Sequence, residues 1–156
     1  MREVHISQTK DAGLIAKLNK PVHDLHVELY PEFFKPYNFE EIKTFFQSMV
    51  EKENYIFLVL EDGDMPLGFA MIEIRNHPET MFKKAYSSLY VHQISVLNQK
   101  QKKGYGTRLM EAIEGHAKER GINRIELDYW SENEVASSLY EKNGYEISRL
   151  FVSKQL

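Results

Sequence analysis

Gln101, Lys102, Lys103, Gly104, Tyr105, Gly106 and Thr107 form a short run in which lysines and two glycines stand where strand-forming residues give way to a helical pattern. A glycine turn at such a junction aims several unpartnered backbone N–H groups at one point, where the dipole of the following helix also favours negative charge. Phosphate is the guest such a turn suits. Gly104 and Gly106 remove Cβ atoms that would hold a bulky diphosphate away, and the lysines, with Arg108, add attraction. Two other phosphate loops do not fit. Gly106 is followed by Thr107-Arg108 and no glycine stands five residues before it, against a nucleotide P-loop. Leu109 stands where a dinucleotide fingerprint needs its last glycine.

Downstream, Asn133, Ala136 and Tyr140 are spaced three and four apart, so they share one helical face across two turns and can reach one ligand. On spacing alone Tyr140 can equally be a core residue whose hydroxyl finds a backbone partner. Upstream, alternation places Tyr90 and His92 on one face of a strand. His92 has the intrinsic acidity of a general base, and the same residue can be a hydrogen-bonded structural histidine. Neither it nor its neighbours Gln93 and Ser95 is a carboxylate.

The elements that must hold these residues are legible in outline. Val4 and Ile6 alternate as a short strand over residues 2–7. Leu14, Ile15 and Leu18, then Val22, Leu25 and Leu29, have helical spacing on either side of Pro21, which predicts two short helices with a break near Asn19-Lys20. Asn38 with Glu41 reads as a capping box. Tyr55–Leu60, a turn at Asp62-Gly63-Asp64 and Leu67–Ile74 read as a hairpin. A strand at Tyr86–Leu97, a helix at Gly104–Arg120 and a strand at Arg124–Tyr129 follow. A helix capped by Ser131 and ending near Asn143-Gly144 comes next, and a closing strand at Tyr145–Val152 completes the order. The alternation in the second half implies an α/β sheet with mixed strand directions and helices on both faces.

The six residues Gln101-Lys102-Lys103-Gly104-Tyr105-Gly106 match the form Gln/Arg-x-x-Gly-x-Gly/Ala, and "NEVASSLYEKNGYE" matches Asn-x-x-Ala-x-x-Leu-Tyr-x-x-x-Gly-Phe/Tyr. With the strand-loop-helix order between them, the chain resembles the GCN5-related N-acetyltransferase (GNAT) family, strongly from about Tyr55 onward and through arrangement alone before it. The resemblance implies a single N-acetyltransferase domain over residues 1–156. It also implies a GNAT-like α/β fold: a mixed, mostly antiparallel central sheet, helices on both faces, and a parallel strand pair splayed at the cofactor site. It implies acetyl-CoA as donor, with the diphosphate on Gln101, Lys102, Lys103, Gly104, Tyr105, Gly106 and Thr107. The pantetheine arm would run along Ile94, Ser95 and Val96 and touch Asn133 and Ala136. Tyr140 would sit beside the thioester sulfur as the acid for the departing thiolate.

Many members carry a glutamate on the strand that here holds Tyr90 and His92, so the base is left between those two residues, Glu28 and a water relay. The N-terminal helices of the family shape the acceptor pocket, which points to His26, Glu28, Tyr30, Phe33 and Phe34; several of these can equally be core. The expected reaction is direct acetyl transfer to a primary amine of a small molecule or peptide. The alternative is a non-catalytic acyl-CoA-binding regulatory domain that has lost its base.

Composition limits the rest. The chain has 156 residues, 42% apolar and 28% charged, with a formal charge of −3 and no cysteine. Disulfides, thiolate metal sites and a cysteine nucleophile are excluded. An acidic body argues against nucleic acid as partner. His23 and His26 lack a third ligand at matched spacing, so no metal is expected. The first residues contain no apolar targeting core and no window is long enough to span a bilayer, which makes a soluble cytoplasmic protein the expectation. A homodimer is compatible with all of this.

Overall fold

The computed structural model describes residues 3–97 and 104–156. Five strands form one sheet in the order β1 (Val4–Gln8), β2 (Tyr55–Asp62), β3 (Met65–His77), β4 (Tyr86–Val96) and β5 (Ile125–Leu127). The first four run antiparallel, and β4 pairs parallel with β5 after a crossover through α3 (Tyr105–Glu119). The helices α1 (Ala12–Leu29) and α2 (Phe39–Met49) precede β2, and α4 (Glu134–Lys142) follows β5.

Apolar residues at every position of β2 from Ile56 to Leu60 explain the layering. Successive side chains point to opposite faces, so Phe57 and Val59 join Phe69 and Met71 against Ile15, Leu18 and Phe46 of α1 and α2. Ile56, Leu58 and Leu60 join Ala70 and Ile72 against Leu109, Met110 and Ile113 of α3, a cluster that also holds Tyr140. Two separate cores therefore clamp the sheet from both sides.

Three expectations are corrected. First, α1 is one helix rather than two and carries Pro21 within it; its N-cap is Asp11, which accepts from Leu14 N–H. Pro21 cannot bond the Lys17 carbonyl, a loss of about 3 kcal/mol in a helix interior. Lys17 is exposed, so that carbonyl reaches water. Packing on both sides then keeps the axis continuous: Ile15, Ala16, Leu18 and Asn19 are buried upstream, and His23 and His26 contact Phe34 downstream. Second, α4 is capped by Asn133 rather than Ser131, through a 3.1 Å bond from Ala136 N–H. Third, no strand forms at 145–152, and residues 146–156 are exposed without regular structure. Apolar alternation there lacks the neighbour that a strand requires.

Candidate active site

The split between β4 and β5 organises the site. Only Leu89–Val91 pair with Ile125–Leu127, and at the end of that pairing β4 carries a bulge. Ile72 stands opposite Val91 and Met71 opposite Gln93, so His92 is the extra residue. A bulge bends its strand and increases twist, and beyond it the strands part. Among the described residues, β4 has no strand partner on its β5 side from His92 to Ser95. The buried Ser95 hydroxyl also has no hydrogen-bond partner.

The N-terminus of α3 follows the glycine turn. Gly104 is its N-cap at φ 81°, a left-handed conformation that suits glycine, and no side chain caps the helix. A Cβ built on Gly104 meets none of the described residues within 4 Å. Gly106 has a second use: a Cβ there would lie 3.1 Å from Leu139, so its absence lets α4 close on α3. Asn143 Nδ2 reaches Thr107 Oγ1 at 3.4 Å across the same contact, and the Tyr105 hydroxyl donates to Asp62 at 3.3 Å. Gln101, Lys102 and Lys103, the other expected diphosphate contacts, lie outside the described residues.

Tyr140 stands on α4, with its ring centroid 5.6 Å from Tyr129 and 5.8 Å from Tyr145. It is 6% exposed, and burial first, then Tyr145, Asp128, Tyr90 and Tyr129, hold its phenol in the protonated form well beyond the usual range. Its hydroxyl forms no hydrogen bond to the described residues. Asn133 is equally buried but acts as a cap, with Ala136 N–H on its Oδ1. Asn133→Ala is therefore expected to lower stability by about 1 kcal/mol, read as a drop in the urea midpoint at constant slope.

On the face that packs α1, the apolar part of the sheet ends at Met71 and a polar field begins. His92 Nε2 lies 2.8 Å from Glu73 Oε1, the same oxygen that Arg75 Nε approaches at 2.8 Å. Burial pushes the Glu73 carboxyl up, but the hydrogen bonds from Arg75 and His92 outweigh it and leave the carboxyl below its ordinary value. The Arg75 guanidinium stacks 3.8 Å from the Tyr90 ring centroid, and the Tyr90 hydroxyl donates to Asp128. Burial and that bond push the Tyr90 phenol up to about 12, so it keeps its proton at neutral pH and serves Asp128 as a donor. Tyr55 stacks on His92 at 5.5 Å, and Tyr90 meets the same imidazole edge-on at 4.9 Å.

The expected acceptor residues gather at the end of α1, around a residue that pattern reading missed. Trp130 lies 4.4 Å from Tyr30, 5.6 Å from Phe33 and 5.4 Å from Phe34, and His26 stacks on Phe34 at 4.9 Å. Burial, and then His23, lower the basicity of His26. The Tyr30 hydroxyl accepts from Glu132 N–H at 3.1 Å, tying the loop after α1 to the loop after β5. Glu28 is exposed and stands apart from this cluster.

Glu73, Arg75 and Asp128 were also missed. The available signal was Glu73 and Arg75 continuing the face of Phe69 and Met71, two charges closing an otherwise apolar alternation. Among the described residues no group of three or more His, Asp or Glu side chains is placed to hold a metal ion, and no helix is long and apolar enough to cross a membrane.

The acetyltransferase (GNAT) family model matches residues 20–145, from within α1 to beyond the end of α4. The chain belongs to the GNAT acetyltransferase family. As a member it is an acetyltransferase with acetyl-CoA as donor. It is similar to a Bacillus subtilis (strain 168) protein named "Uncharacterized N-acetyltransferase YhfO", at 28% identity over 94% of this chain and 91% of the relative. Among solved structures, a tetramutant of the BH1408 protein from Bacillus halodurans shares the fold at TM-score 0.87, with 22% identity and 99% of each chain covered. A predicted acetyltransferase from Clostridium acetobutylicum, solved with acetyl-CoA, shares it at TM-score 0.71, with 18% identity, 99% of this chain and 96% of that one covered. The first turn of α3, capped by no side chain among the described residues, and the Ser95 hydroxyl beside the strand split fit the donor of this GNAT chain.

Proposed function

We propose that residues 1–156 act as a single cytoplasmic domain that transfers the acetyl group directly to a primary amine of a small molecule or peptide. The observation that carries this reading is the placement of a protonated, buried phenol and a carboxylate-held imidazole around one strand split. Acetyl-CoA supplies an activated thioester when bound: the C–N bond forms to the amine as the C–S bond breaks. The chain's own residues move the two protons.

His92 is the base. Its Nε2–H donates to Glu73, which leaves Nδ1 as the acceptor for a proton from the incoming ammonium group, as in other carboxylate-oriented histidines. Tyr140 is the acid, giving its phenolic proton to the departing sulfur, and the second nitrogen proton, lost as the C–S bond breaks, restores the phenol. Glu73 fixes the tautomer of His92, while Arg75 holds the carboxylate in place. Asp128, which accepts the Tyr90 hydroxyl, attracts the cationic amine, and the Tyr30, Phe33 and Trp130 rings bound its apolar part. Ile94, Ser95 and Val96 line the donor's path along β4. The regulatory-domain alternative rested on the lack of a carboxylate beside Tyr90 and His92; Glu73, from the adjacent strand, removes that motive.

The test is turnover of acetyl-CoA with a panel of small amines, polyamines, amino acids and peptides, following free thiol and acetylated amine together. At least one amine is expected to release thiol in equal amount to its acetylated product. CoA binding with no turnover across the panel would instead support the non-catalytic reading.

A further inference from the structure

Arg75 has more donor capacity than the fold uses. Its Nε donates to Glu73 Oε1 at 2.8 Å, its guanidinium carbon lies 3.8 Å from the Tyr90 ring centroid, and its terminal NH2 groups have no hydrogen-bond partner among the described residues. The side chain is 35% exposed, so solvent reaches it. Register explains how it is held: Glu73 stands opposite Tyr90, and Arg75, two residues along the same face, lies diagonally across from that ring. Fixed by the carboxylate and the ring, the guanidinium keeps a planar pair of donors of the geometry that a carboxylate accepts. His92 Nε2 lies 2.8 Å from the same Glu73 oxygen, so the base and the guanidinium stand no more than two such contacts apart. Asp128 stands at the far end of the Tyr90 ring, where it accepts the hydroxyl, and it forms no ion pair with Arg75. Arg149, the other cation that acts on Tyr90, is exposed and carries no ring stack among the described residues.

We infer that the acceptor is a free α-amino acid with an apolar side chain, its carboxylate received by the terminal NH2 groups of Arg75. The inference rests on the transfer reading above and narrows it. A positive and a negative group kept apart by the length of one phenol complement a zwitterion, with the carboxylate on Arg75 and the ammonium drawn by Asp128 towards His92 Nδ1. In an α-amino acid one carbon joins those two groups, which suits the short span from guanidinium to base. A simple amine or a polyamine would leave the arginine donors unmet, and a peptide N-terminus would set a neutral amide where the carboxylate belongs. Tyr30, Phe33 and Trp130 then bound the side chain: Trp130 follows Asp128 by two positions, and Phe33, stacked on it, is 66% exposed.

Phenylalanine and leucine are compared with phenethylamine and isoamylamine, which keep the amine and the side chain and lack the carboxylate. At least one amino acid is expected to exceed its counterpart in kcat/KM by roughly 10–10²-fold, the worth of a charge-assisted contact. Arg75→Gln lowers both members of a pair through the lost contact with Glu73, so the readout is the ratio within the pair. That ratio is expected to collapse in Arg75→Gln and to recover in part in Arg75→Lys, which restores the charge without the fork. Binding is read apart from turnover, by calorimetric titration of the CoA-saturated protein with phenylalanine and with phenethylamine. Tighter binding of phenylalanine, lost in Arg75→Gln, supports the inference even where no amine turns over, the result that would remove the transfer reading instead. Counterparts that equal or exceed the amino acids in kcat/KM, or a preference that survives Arg75→Gln, overturn the inference and leave acetyl transfer in place.

Discussion

Tyr140→Phe lowers kcat by roughly 10²–10⁴-fold and leaves the Kd for acetyl-CoA within about twofold, the range expected when one general acid is removed and its shape is kept. The ring stays in the cluster of Leu109, Met110 and Ile113, so the fold and the strand split persist. What disappears is the proton. Burial and the neighbouring phenols and carboxylate keep that proton on Tyr140 far above neutral pH, which makes the group a poor acid in water but a donor matched to a thiolate that forms beside it. Because the step affected is departure of the sulfur, KM for the amine changes little while kcat and kcat/KM fall together. Equal loss of CoA affinity would place Tyr140 in binding rather than in proton transfer.

Glu73→Gln lowers kcat by about 10–10²-fold, an effect smaller than loss of the base itself. Glutamine keeps the shape beside Arg75 and His92 but removes the negative charge that faces the ring when it takes the substrate proton. A purely structural carboxylate would lower activity only as far as it lowers the folded fraction, so kcat normalised to folded protein separates the two. Stability carries its own pH signature. The Glu73 carboxyl is depressed in the folded chain, so its contribution is full above the ordinary carboxylate value of about 4.3 and is lost as pH falls through its lower folded value. Urea midpoints of the parent chain should fall more steeply under acid than those of Glu73→Gln.

The sequence carried the donor side of the site better than the acceptor side, for a physical reason. The glycine turn and the Asn133-Ala136-Tyr140 spacing lie within single turns or helices, where local periodicity fixes which side chains meet. Glu73 meets His92 across two strands, and which residue of one strand stands beside which of the next is set by a register that shifts at the bulge; no spacing in the chain encodes that register. Asp128 reaches Tyr90 through a parallel pairing made after a whole helix has intervened, and Trp130 reaches Tyr30 across one hundred positions. Pro21 misled in the other direction. A local rule predicted a break, and packing on both sides of the residue overrode it. At 145–152 apolar alternation is present but no strand forms, because alternation alone does not supply the neighbour that a strand requires.

The central claim, that a phenol and a carboxylate-held imidazole move the two protons of a direct transfer, is tested most directly by a single turnover. The protein loaded with one equivalent of acetyl-CoA is mixed with an acceptor amine, and free thiol, acetylated amine and acetylated protein are read in the same quenched samples. The account predicts that thiol and acetylated amine rise with one rate constant, that Tyr140→Phe slows both alike, and that no acetyl group collects on the protein. Acetylated protein forming before product, or Tyr140→Phe turning over at the parent rate, would contradict it.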